Sequence, residues 1–232
     1  VQSADNAQLL RVSLVVLGSL LCAQDKSEGF WASVQPLQCM NTILLMLEDP
    51  NTKLRKVAED QVVRILRQHQ LGKAKALRTY VANFCSGILK SCTRNHYKRS
   101  LYIVLFLENA LTLIADDGDR PKKYFDLLLG LSDCGQAVLT AAALRSLDAY
   151  FQSPYLGTND RQIADCLNTL VTRRLHSPDM ESNTYRYLAM ASGFVVLHGK
   201  NRSLSLAILK RLCASLVEGC GDNFVQINDA IG

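Results

Sequence analysis

Apolar residues return every three or four positions through most of this chain, and short polar clusters interrupt them at intervals. Leu9, Leu10, Leu14, Leu17, Leu20 and Leu21 predict a first helix that ends near Gln24. Phe30 to Glu48 predicts the next, with Pro36 either in its first turns or breaking it there. Asp49-Pro50-Asn51 then reads as a turn, with Asn51 or Thr52 as the cap of a helix running to about His69. That helix carries its apolar face on Leu54, Val57, Ala58, Val62, Ile65 and Leu66.

The same unit recurs. Lys73–Cys92 and Tyr97–Ala115 predict a second helix pair, followed by a loop over Asp116–Pro121. Lys122–Leu131 and Gln136–Phe151 predict a third, and Leu131-Ser132-Asp133 echoes Leu47-Glu48-Asp49 before the second helix. A connector over Ser153–Asp160 leads to a fourth pair, Arg161–Leu175 and Asn183–Leu197, joined by His176-Ser177-Pro178-Asp179. Arg202–Val217 starts a fifth, closed by Gly219–Asp222. A period of about 40–47 residues is that of HEAT and armadillo arrays. The expectation is therefore an all-α fold: one continuous α-solenoid over residues 1–232, about five helix pairs cut from a longer protein, with the first helix the second half of a truncated unit. A globular α bundle is the alternative, but a bundle has no reason to repeat its turns. One pair cannot bury its apolar face alone, whereas stacked pairs share a core and present long surfaces. Such an architecture argues for binding rather than catalysis.

Composition narrows the reading. The chain has 232 residues, 48% of them hydrophobic, enough for a substantial core. No apolar run reaches the ~18–20 residues that span a bilayer, so no membrane association is expected. The start, Val1 to Asn6, lacks the basic region of a signal peptide. The eight cysteines form no Cys-x-x-Cys pair and most sit among apolar residues in helical patterns, which points to a reducing compartment. Zinc at Cys92 and His96 would need two further ligands nearby, and none is evident. Asp116, Asp117 and Asp119 lack the Glu that closes a calcium loop. His69, His96, His176 and His198 are scattered, and no nucleotide, metalloprotease or hydrolase motif occurs. The expectation is no catalytic residue, no metal, no cofactor and no small-molecule substrate.

Charge is distributed unevenly. Between Pro50 and Leu107 twelve Lys and Arg face only Glu59 and Asp60, a net +10, while the rest of the chain carries −5. A field of that sign attracts polyanions, and each phosphate engaged releases counterions. Lys53, Lys56, Arg64 and Arg67 share the helix face opposite the apolar stripe, across Asp60. Lys73, Lys75 and Arg78 fall at the next turn and first helical turns, and Lys98 and Arg99 near the start of the helix after that. These nine are the candidate RNA-binding residues. Tyr80, Phe84 and Tyr97 lie among them and could stack on unpaired bases or simply pack in the core. Asp49 and Arg55, six residues apart at a turn, suit a structural pairing between repeats.

Several segments together resemble the ribosomal RNA-processing protein 12 family. They are Leu9-Leu10-Arg11, Leu20-Leu21, Gln24-Asp25 and a helix holding Trp31, then the turn Asp49-Pro50-Asn51-Thr52-Lys53-Leu54-Arg55-Lys56-Val57-Ala58. Ala82-Asn83-Phe84-Cys85 and the small-residue helix Val138–Leu147 continue the likeness, and helices between Ile163 and Leu197 keep the family's spacing. The loops Asp116–Pro121 and Ser153–Asp160 depart from it. The resemblance implies a nuclear and nucleolar HEAT-repeat scaffold that can shuttle to the cytoplasm. Its implied partners are pre-ribosomal RNA, pre-ribosomal particles, and assembly and export proteins of the Ran and karyopherin system. Its implied role is pre-rRNA processing and export of pre-ribosomal subunits. A karyopherin-like transport receptor, or a solenoid that binds only proteins, is the competing expectation, and the net −5 outside the basic segment suits it.

Overall fold

The structure, a computed structural model, describes residues 2–24, 27–69, 74–93, 96–114, 120–131, 134 and 136–151, together with positions 203, 206, 209, 210 and 213. Among the described residues it is all-helical, without a strand. The helices are α1 (Gln2–Cys22), α2 (Glu28–Trp31), α3 (Val34–Leu45), α4 (Thr52–Gln68), α5 (Lys75–Lys90), α6 (Tyr97–Ile114), α7 (Arg120–Leu131) and α8 (Ala137–Phe151), with a 3₁₀ turn at Met46–Glu48. The expected connector at Ser153–Asp160 and the fourth helix pair lie outside the described residues, and of the expected fifth only positions 203, 206, 209, 210 and 213 are described, all of them helical.

Two boundaries differ from the sequence reading. The expected single helix over Phe30–Glu48 is divided into α2, α3 and the 3₁₀ turn. Pro36 explains the first break. In a continuous helix its missing N–H would leave the Ala32 carbonyl unbonded and its ring would strike that carbonyl. The chain instead restarts at Ser33, which is extended (φ −81°, ψ 158°), so Pro36 falls in the first turn of α3, where no donor is needed. The loop expected over Asp116–Pro121 ends earlier, because α7 begins at Arg120 and takes Pro121 into its first turn.

The chain divides into two compact units, residues 1–124 and 125–232. In the first unit α1 packs on α4 and α4 on α6, while α3 packs on α5. The pairs α3–α4 and α5–α6 are also in contact. The expected apolar face of α4 supplies part of the core: Leu54, Ala58, Val62, Ile65 and Leu66 are buried, and Val57 is half-buried. Trp31, Met40, Ile43 and Leu44 of α2 and α3, Leu77, Val81 and Cys85 of α5, and Ile103, Val104 and Leu107 of α6 are buried as well.

Polar contacts fix how the helices meet. His69, the C-cap of α4, is buried edge-on to Trp31 at 5.0 Å between ring centroids, and its Nε2 lies 3.1 Å from the Leu21 carbonyl. One side chain thus ties the ends of α1 and α4 to α2. Tyr124 Oη donates to the Ala82 carbonyl at 2.6 Å, anchoring the start of α7 to α5. At Gly18 a side chain would run into Gln61 of α4: a Cβ there would lie 2.9 Å from Gln61 Cγ, so the buried glutamine would have to shift. In the second unit, Phe125, Leu128 and Leu131 of α7 and Leu139, Ala143, Leu144 and Leu147 of α8 are buried.

Candidate nucleic-acid interface

The central element is α4 and the turn that launches it. Asn51 Oδ1 accepts from the backbone N–H of Lys53 at 3.0 Å and of Leu54 at 3.4 Å, so Asn51 is the N-cap. Asp49 Oδ1 accepts from the Asn51 N–H at 2.7 Å, closing the turn locally. Arg55 braces the same turn from within α4. Its Nη1 donates to the carbonyls of Asp49 (2.7 Å) and Pro50 (2.9 Å), and its Nη2 donates to Thr52 Oγ1 (3.1 Å). The guanidinium therefore meets the Asp49 main chain rather than its carboxylate. It also lies 3.8 Å above the Tyr102 ring of α6, a cation–π contact that joins the turn to the following helix pair. Tyr102 is a partner that spacing around Asp49 and Arg55 does not reveal.

At 100° per residue, Lys53, Lys56, Asp60, Arg64 and Arg67 fall within about 80° of one another and span roughly 21 Å of helix. All five are exposed. The flanking helices are in contact with α4 on either side of this ridge: Arg64 Nη2 donates to Ser19 Oγ of α1 at 2.9 Å, and Asn109 of α6 donates to Glu59 Oε1 at 2.8 Å. Lys98 and Arg99, on the first turn of α6, are exposed. Lys75 is exposed at the start of α5, and Arg78 is half-buried one turn on. Lys73 lies outside the described residues.

Acids qualify this surface. Lys56 Nζ sits 3.3 Å from Glu59 Oε1 and 3.5 Å from Asp60 Oδ1. Slight burial by itself would lower the Lys56 ammonium, but those two carboxylates outweigh it and hold it above its ordinary value. Arg99 Nε donates to Glu48 Oε2, and the hydrogen bond and charge of Glu48 raise the guanidinium further. Lys53, Arg67 and Lys98 have no acidic partner among the described residues. Glu28 lies close by in a role that local spacing could not indicate. Its carboxylate accepts from the backbone N–H of Lys75 (2.6 Å) and Ala76 (2.8 Å), capping α5 from 47 residues away.

Tyr80, Phe84 and Tyr97 are half-buried, so each keeps part of its ring surface accessible. A cleft of about 130 Å³ opens between α4 and α6, with Arg55, Lys56, Glu59, Tyr102 and Phe106 in its walls. That is well below the ~300–1,000 Å³ of small-molecule sites. No cluster of three His, Cys, Asp or Glu with metal-binding geometry occurs among the described residues. No described helix is long and apolar enough to cross a membrane. No protein family, characterised protein or solved structure matches the chain.

Proposed function

We propose that this chain is a non-catalytic scaffold that holds RNA through phosphate contacts along α4 and the adjoining helix starts. The exposed ridge Lys53, Arg64 and Arg67, extended by Lys98, carries the reading. It offers repeated cations on a rigid element with too small a cleft beside it for a substrate. Contacts of this kind position a nucleic acid without reading its sequence. In this reading the helix pairs form a HEAT-like solenoid. The succession α1–α4–α6, beside α3–α5, supports it, because stacked pairs bring like helices into neighbouring positions. The resemblance to the ribosomal RNA-processing protein 12 family directs the proposal to ribosome biogenesis, with pre-rRNA and assembly or export proteins as partners in the nucleus and nucleolus.

Photo-crosslinking to a structured pre-rRNA segment tests this reading. Crosslinked peptides should come from residues 52–68 and 97–100 and should vanish as salt rises. Crosslinks confined to other parts of the chain would refute it. A protein-only scaffold is the second reading, favoured by the acids that engage Lys56 and Arg99. It requires that RNA leave a protein partner undisplaced in competition.

A further inference from the structure

The cleft between α4 and α6 opens beside the basic ridge and holds about 130 Å³ of space. Two polar ties join the helices there: Arg55 lies over the Tyr102 ring, and Asn109 donates to Glu59. Between them the walls are apolar. Phe106 is buried, whereas Leu105 is 37% exposed, and no other large aliphatic side chain described on α6 is exposed. We infer, building on the RNA-binding reading, that this cleft receives one unpaired nucleobase of the RNA held by the ridge, so that the site takes single-stranded rather than duplex segments.

Three features of the cleft select a base as the occupant. The first is its surface. A guanidinium, a tyrosine ring and an aliphatic side chain together offer what the π face of a base packs on. Arg55 bonds two main-chain carbonyls and the Thr52 hydroxyl, so it keeps its charge unneutralised by a carboxylate contact. The second is what surrounds it. Lys56 is exposed in the wall on α4 and Lys53 stands one turn before it, while Lys98 is exposed one turn before Tyr102 on α6. Cations therefore stand on both helices, where the backbone on either side of an inserted base would pass. An apolar side chain of a protein partner would gain nothing from them. The third is Glu59. Its carboxylate in the wall opposes a bare phosphate or an acidic side chain, but it can accept from the amino edge of a base.

Fluorescence anisotropy with an unstructured RNA of about 12 nucleotides, and with the blunt duplex of the same length, tests the inference. Electrostatics alone favours the duplex, whose phosphates are denser. The expected result is tighter binding of the single strand. Tyr102→Leu keeps apolar bulk but removes the aromatic face. It should weaken single-strand binding at least about fivefold, with duplex affinity and the salt slope as in the parent. Leu105 is exposed, so Leu105→Gln tests the same wall without touching the Arg55–Tyr102 contact, and should weaken single-strand binding at least about twofold. A parent that prefers the duplex would overturn the inference. So would unchanged single-strand affinity in both variants, or equal losses on the two RNAs, which mark a purely structural role. The RNA-binding reading fails separately, if changing Lys53, Arg64 and Arg67 to Gln leaves the salt slope on both RNAs unaltered.

Discussion

Glu28 supplies a stringent test of how this fold is held together. The helix α5 starts at Lys75 after Ala74, which has no side chain able to cap it. Two of the N–H groups that a helix start leaves unbonded are instead satisfied by the Glu28 carboxylate, at 2.6 and 2.8 Å. Losing a helix cap costs about 0.5–2 kcal/mol, and a negative charge at a helix start contributes about 0.3–1 kcal/mol. Glu28 is exposed, so water replaces part of what is removed. Glu28→Ala should therefore cost about 1–2 kcal/mol, near the typical cap value. For a chain of 232 residues that corresponds to a fall in Tm of roughly 2–8 °C. Glu28 is also the first residue of α2, where its charge is favourable. Glu28→Asp separates the two roles: it keeps the charge on α2 but shortens the reach to α5. Urea unfolding followed by circular dichroism gives the free energies, and hydrogen exchange reads the amides of Lys75 and Ala76 directly. Aspartate should lose most of the stability that alanine loses, with faster exchange at both amides. Aspartate matching the parent, with those amides still protected, would refute the long-range cap.

Other contacts give further expectations. Asn51→Ala removes the α4 cap and should destabilise by about 1 kcal/mol in urea unfolding. Gly18→Val drives a side chain into Gln61 and should cost about 1–3 kcal/mol, with Gln61→Ala in the same chain restoring part of the loss. Tyr124→Phe removes the hydroxyl bond to the Ala82 carbonyl, which keeps its helical partner in α5, and should cost about 0.5–1.5 kcal/mol in the same assay. Burial raises the Cys85 thiol above its ordinary value of 9.0. Cys85 should thus resist alkylation until the chain unfolds, while the exposed Cys213 reacts in the native state. The sign of the pH effect follows: above pH 9.0 the unfolded chain releases this proton and the folded chain keeps it, so stability falls as pH rises.

What was legible in the sequence was local. The turn Asp49–Asn51, its cap at Asn51 and the apolar stripe of α4 all follow from residues within a few positions of one another. The pairing of Lys56 with Glu59 and Asp60 has the same origin, since three- and four-residue spacings face one another on a helix. The break at Ala32–Ser33 was half legible, because Pro36 demands an interruption without saying how far ahead of it the chain restarts. The contacts of Glu28 with α5, Glu48 with Arg99 and Arg55 with Tyr102 join residues about 50 apart and depend on how helices pack. They alter the candidate surface as well as the fold. Glu48 offsets Arg99, and Arg55 is held in the α4 turn, so the ridge open to a phosphate is narrower than the count of basic residues suggests.

The most direct test of the RNA-binding reading is the affinity of the chain for a structured pre-rRNA segment across a salt series. Each phosphate contact on RNA contributes a slope of about 0.7–0.9 in log affinity against log salt. The Lys53→Gln/Lys56→Gln/Arg64→Gln/Arg67→Gln variant should flatten that slope by about two to three units, less than four full contacts because Lys56 already faces two carboxylates. Helical content should be unchanged, since all four side chains are exposed. Weak binding with the same slope in both proteins would contradict the account and leave α4 a solvated helix face.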